Sequence, residues 1–237
     1  MSAKVATTQW SQVIAARDGS GTDSRQALES LCQTYWLPLY AYARSLGHTA
    51  DEASDLTQGF FAYWLEKEIL QSVDPSAGRF RSFLFAAIKN FISRQDRMER
   101  TLKRGGGTTT ISLDFEAGEE RYLAHPVEKM TPQDIFEHRW AVTVLDRAMD
   151  RLEADSDTAE DGNQFQLLKQ YLTSEGPEQS YRQVATTLGM SEGAVKVAVH
   201  RLRKRFGKYL RLEIAETVVD PADVDDEVRH LLQVVRR

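Results

Sequence analysis

Residues 180–206 read SYRQVATTLGMSEGAVKVAVHRLRKRF, and this stretch decides the fold of the second half of the chain. A first helix over residues 181–188 turns Val184, Ala185 and Leu188 inward. Gly189 supplies the positive φ of a tight turn, and Ser191 caps a second helix. On that second helix Val195, Val199, Leu202 and Phe206 fall at steps of three or four, which makes them its buried side. Lys196, His200, Arg201, Arg203 and Lys204 are left facing outward. Two helices around a glycine turn, with one-sided positive charge on the second, spell a helix-turn-helix. An outward face of this kind suits a DNA major groove, where cations neutralise phosphates and the helix start meets base edges.

The charge along the rest of the chain fits that reading locally rather than globally. Over 237 residues the formal balance is −5, which spread evenly would repel nucleic acid. It is not spread evenly. Residues 79–104 hold eight basic and two acidic residues, and residues 181–211 hold eight basic and one acidic. Two basic patches therefore stand about a hundred residues apart, between acidic stretches at 51–74 and 213–237. Local fields govern what a surface attracts.

Helical periodicity extends outward from the quoted segment in both directions, so the fold class expected is all-α, in two small helical domains joined by a linker. In residues 27–46, Leu28, Leu31, Tyr35, Leu39, Tyr42 and Leu46 share one face, with Pro38 expected to kink or split the helix. Thr49, with Glu52 three residues on, opens a second helix through Ala53, Leu56, Phe60 and Trp64. A third follows a loop at 72–78 and carries Phe80, Phe83, Leu84, Ile88 and Phe91 inward over 79–103. The run Gly105-Gly106-Gly107-Thr108-Thr109-Thr110 ends it and begins a polar stretch read as a linker, with weak strand character at 109–115. Pro132 then starts further helices, at 132–152 and 163–173. The segments expected are thus an N-terminal piece 1–26, a first domain 27–104, a linker 105–131, a second domain 132–212 and an acidic extension 213–237. In that extension Asp220 caps a helix opened by Pro221, with Val224, Val228, Leu231, Leu232 and Val235 as its apolar stripe. The stripe suits either capping of the second domain's core or docking on a basic DNA-binding face.

Three segments together carry a family resemblance. Ser191-Glu-Gly-Ala-Val-Lys followed by His200-Arg-Leu-Arg resembles region 4 of the extracytoplasmic-function (ECF) sigma factors of the sigma-70 family. Ala53-Ser-Asp-Leu-Thr-Gln-Gly-Phe-Phe61 is similar to the core-binding helix of region 2, and residues 80–91 are similar to its promoter-melting segment. The resemblance covers roughly residues 28–212. It implies a subunit that binds RNA polymerase core and directs promoter-specific initiation. Contact with the −35 promoter element would fall to Ser191, Lys196, His200, Arg201, Arg203 and Lys204. The −10 element would be opened and read by Arg79, Lys89, Asn90, Ser93, Arg94 and Arg97 with the loop 72–79. Polymerase core would meet Asp51, Glu52, Asp55, Leu56, Gln58 and Phe60. An anti-sigma factor is a further implied partner.

The chain departs from the family's pattern in two places. Region 2 usually carries adjacent Glu-Asp and a second acid after Gln, where this sequence has Ser54-Asp55 and Gly59. Phosphorylation of Ser54 or Thr57 by a Ser/Thr kinase would restore about 1.5–2 negative charges. In region 4, Val197-Ala198 stands where Ser-Arg is common, so base contacts cannot be inherited there. A helix-turn-helix regulator that acts without polymerase is the alternative.

Other classes find little footing in the sequence. No window reaches the run of ~18 apolar residues that a membrane span needs, and the start MSAKVATTQW lacks a signal-peptide pattern, so a cytoplasmic protein is expected. The glycine run at 105–107 lacks a P-loop's Lys-Ser/Thr, and no Gly-x-Ser-x-Gly elbow occurs. The five histidines have no ligand spacing and Cys32 is the single cysteine. No catalytic constellation, metal site or cofactor is expected.

Overall fold

The computed structural model describes residues 22–66, 79–101, 115–123, 130–156, 162–172, 179–218 and 220–236. Among these the chain is helical, with one isolated antiparallel bridge between Arg79 and Val218. The helices are α1 (Thr22–Ser45), α2 (Ala50–Glu66), α3 (Phe80–Thr101), α4 (Phe115–Leu123) and α5 (Pro132–Ala154). They continue with α6 (Gly162–Leu168), α7 (Tyr181–Leu188), α8 (Glu192–Ala215) and α9 (Val224–Val235). None is long and apolar enough to cross a membrane.

The chain forms two compact units: Met1–Thr143 with Ile214–Arg237, and Val144–Glu213. In the first, α1, α2 and α3 pack through aromatic side chains. Tyr35 meets Phe80 edge to face at 4.9 Å, Phe60 meets Phe91 at 5.7 Å, and Trp64 lies 5.6 Å from Phe80. These rings follow the apolar period of their helices and are joined in the core by Leu39, Leu84 and Ile88. Thr49 and Glu52 form the expected capping box at the start of α2: the Thr49 amide donates to Glu52 Oε2 at 2.8 Å, and the Glu52 amide donates to Thr49 Oγ1 at 3.3 Å. Contrary to expectation, Pro38 does not split α1, which runs through it to Ser45 with the residues on both sides buried.

The segment read as a linker over 105–131 contains α4, which is packed rather than free. Glu119 accepts from Arg44 Nη2 at 2.7 Å and from the Tyr40 hydroxyl. Arg139 donates to the Tyr122 carbonyl at 2.7 Å. The strand character read at 109–115 lies outside the described residues, apart from Phe115, which is helical. Residues 132–143 of α5 and the tail from Ile214 likewise belong to the first unit rather than the second. Ion pairs tie both segments to α3. Arg81 on α3 pairs with Glu137 on α5 at 3.1 Å and with Glu227 on α9 at 3.0 Å.

The second unit is a small bundle around Leu152, Phe165, Leu168, Tyr171, Val184, Ala185, Val195, Val199 and Leu202. Tyr171 and Tyr181 stack at 4.6 Å with planes 2° apart, which fixes the entry to α7. Glu213, buried near the end of α8, binds Arg147 of α5 at 2.9 Å and also Arg151.

Candidate nucleic-acid interface

The helix-turn-helix forms as its residues dictate. Ser180 caps α7 with a full capping box, its hydroxyl accepting from the Gln183 amide. Gly189 ends the helix at φ 65°, the left-handed region where a Cβ is strained, and the chain reverses there. Ser191 Oγ accepts from the Ala194 amide at 3.2 Å and starts α8. Val184, Ala185, Val195, Val199 and Leu202 are buried, while Leu188 and Phe206 are half-buried at the margin.

All six residues expected at the −35 element, Ser191, Lys196, His200, Arg201, Arg203 and Lys204, lie exposed on this motif. Their side chains are not equally available. Lys196 pairs with Glu192 at 2.7 Å and sits 5.6 Å from the Tyr181 ring. The Glu192 carboxylate raises the Lys196 ammonium and is itself lowered by it. Arg203 reaches back to donate to the Tyr171 carbonyl at 3.1 Å. Among the described residues nothing engages His200, Arg201 or Lys204, which leaves these three facing solvent. Arg205, one position on, is anchored to Asp155 at 2.6 Å and holds α8 against the end of α5.

In the first unit the expected −10 residues divide. Lys89, Asn90, Arg94 and Arg97 are exposed along one side of α3, with Ser93 half-buried among them. Arg94 donates to the Tyr63 hydroxyl at 2.9 Å with its guanidinium 5.7 Å from that ring, so α2 and α3 join at their outer face. Arg79 stands apart, half-buried and paired with Glu227 at 3.1 Å. The remainder of the loop 72–79 lies outside the described residues.

The residues expected to meet polymerase divide as well. Asp51, Glu52 and Asp55 are exposed at the start of α2, and Leu56 and Gln58 are half-buried. Glu52 is partly committed to its cap, with the Thr49 amide and then the Thr49 hydroxyl holding its carboxyl below the usual range. Phe60 instead belongs to the core at 1% exposure, because it lies on the apolar side of α2 against Phe61 and Phe91. Thr57 is 0% exposed and its hydroxyl donates to the Ala53 carbonyl at 2.7 Å, so no kinase reaches it without opening the helix. Ser54, half-buried one turn earlier, is the hydroxyl nearer solvent.

The tail is where sequence reasoning fell short. Its buried side is Glu227, Val228, Leu231 and Val234, whereas Leu232, expected in the apolar stripe, is exposed. A carboxylate among core positions is the signal that was available, since Glu227 falls between Val224 and Leu231 on the apolar period. Its partners are Arg79, just before α3, and Arg81 in its first turn. Trp140 lies 4.7 Å from the Arg81 guanidinium, and His230 approaches Glu137 at 3.1 Å. The tail thus completes the core of the first unit, not that of the second.

Among the described residues no three His, Cys, Asp or Glu side chains group as metal ligands. Comparison with protein-family models, with curated proteins and with solved structures finds no match to this chain.

Proposed function

We propose that the chain is a sigma factor of ECF type, which binds RNA polymerase core and directs promoter-specific transcription initiation. The observation that carries the reading is the helix-turn-helix of α7 and α8, whose second helix holds His200, Arg201 and Lys204 at an exposed face where no described residue engages them. In this reading α8 enters the major groove of the −35 element. The outer side of α3, with Lys89, Asn90, Arg94 and Arg97, holds the opened strand of the −10 element. The acids Asp51, Glu52 and Asp55 meet a basic surface on polymerase core, and a kinase adding charge there acts on Ser54. The chain then works in the cytoplasm and carries out no chemistry of its own.

The exposed acidic start of α2 and the cationic side of α3 favour this reading over a regulator that binds operators alone, which has no use for either. Co-elution of the purified chain with bacterial core RNA polymerase on size exclusion tests it. A stable complex is expected, together with transcription from duplexes that the complex selects. Binding to duplex DNA with no retention by core, before and after kinase treatment, would leave the stand-alone regulator.

A further inference from the structure

Two features of α8 are not explained by the free protein. Val197 is 49% exposed in the middle of a basic helix, an apolar and β-branched side chain where neither property helps. Gly193, one turn earlier, is exposed and helical, and a Cβ built on it would meet nothing within 4 Å. Neither an internal packing partner nor a positive φ accounts for that glycine, which stands in the first turn of α8. The two lie four residues apart and so share one ridge, which continues into Arg201. That ridge is flanked by Lys196 and His200.

A cationic helix face with a cleared notch and a single apolar group fits one surface closely. The major groove presents hydrogen-bonding base edges and one apolar group, the C5-methyl of thymine. Resting on the DNA-binding reading above, we infer that Val197 reads a thymine methyl in the duplex. Gly193 is the clearance that lets the helix seat deeply enough for it to do so. Lys196 is paired with Glu192 and Arg203 with the Tyr171 carbonyl, so the apolar contact of Val197 adds a discrimination that neither of those two cations supplies.

The test uses the full chain and a duplex selected from a randomised pool, with each thymine replaced in turn by deoxyuridine, which removes the methyl alone. At one thymine, or two adjacent ones, the replacement is expected to weaken binding about fourfold, the size of one methyl group leaving an apolar contact. Val197→Ala should weaken binding to the thymine duplex by a similar factor and abolish its sensitivity to deoxyuridine at that position, as coupling in a double-mutant cycle requires. Gly193→Ala should weaken binding to the thymine duplex and lower its sensitivity to deoxyuridine at that position, while leaving the helix folded. Selected duplexes that tolerate deoxyuridine everywhere, or a Val197→Ala protein that keeps the wild-type sensitivity, would overturn the inference and leave DNA binding intact. A pool that yields no bound duplex would overturn the DNA-binding reading itself.

Discussion

At the start of α3 Arg81 is 5% exposed, its guanidinium held between Glu137 and Glu227 with Trp140 beside it, and Arg79 shares the second carboxylate. On the outer face of α8, His200, Arg201 and Lys204 are exposed, with none of these attachments among the described residues. Both regions come from basic segments of nearly equal formal charge. What separates them is the partner found within each unit: an acidic helix from the C-terminus reaches the first, and among the described residues no carboxylate pairs with the three on α8. A buried cation is a structural element whose carboxylate cannot be removed cheaply. An exposed cation adds little stability and is available to a phosphate.

Removing residues 214–237 should produce the largest effect. It withdraws Ile214, Val218, Val228, Leu231 and Val234 from the first unit as well as Glu227. At about 1.5–3 kcal/mol for each buried aliphatic side chain, the five apolar losses alone reach the margin of a typical domain. Hydrogen exchange is expected to lose protection across residues 35–64 and 80–92 while residues 184–202 keep theirs. Uniform protection after truncation would show that the tail is dispensable to the first unit.

Glu227→Gln isolates the charge from the apolar surface. Arg81 would retain Glu137, but Arg79 and Arg81 together would lose their shared carboxylate at a site where Glu227 is 1% exposed. A loss of about 3–5 kcal/mol in denaturant unfolding is expected, the range for breaking a buried pair from one side. Equal stability in the variant would mean that the pair contributes no more than a surface bridge.

Glu119 offers a milder case with a definite pH signature. Hydrogen bonds from Arg44, and next from Tyr40, hold its carboxyl below the usual range against partial desolvation. A carboxyl lowered in the folded state stabilises above its unfolded value, and that contribution disappears as pH falls through the folded one. Glu119→Gln should therefore cost about 1–2 kcal/mol at neutral pH and progressively less in acid, as equilibrium melts at several pH values would reveal. A cost that does not change with pH would assign the effect to shape rather than charge.

Much of this organisation was legible in the sequence where a local rule acts alone. The Thr49–Glu52 box, the left-handed Gly189, the Ser191 cap and the inward set Val195, Val199 and Leu202 all depend on neighbours within one or two turns. What could not be read depends on partners far along the chain. Arg81 and Glu227 are separated by 146 positions, and Tyr40 and Glu119 by 79, so no period announces them. The linker expected over 105–131 is polar enough to look unstructured, yet its Glu119 and Tyr122 hold α4 against Arg44 and Arg139. Thr57 and Phe60 were placed at a surface by motif, and the apolar face of α2 takes both inward.

The smallest effect on stability should come from the region proposed to matter most for binding. Arg201→Ala and Lys204→Ala remove exposed cations to which no described residue is attached, so each should change unfolding by no more than about 0.5 kcal/mol. The same variants should weaken duplex binding at every sequence tested. Each should also flatten the dependence of log affinity on log salt by about one unit for the phosphate contact it removes. Double replacement should flatten the slope by about two while unfolding stays near wild type. That separation is the reverse of the Glu227→Gln result, in which stability falls first and any loss of binding follows from it. If instead Arg201→Ala destabilised the chain as Glu227→Gln does, α8 would be a second structural face and the contrast between the two basic segments would collapse. If both variants kept the wild-type salt slope, the free cations of α8 would not be phosphate contacts, and the interface would have to be sought on α3 at Lys89, Arg94 and Arg97.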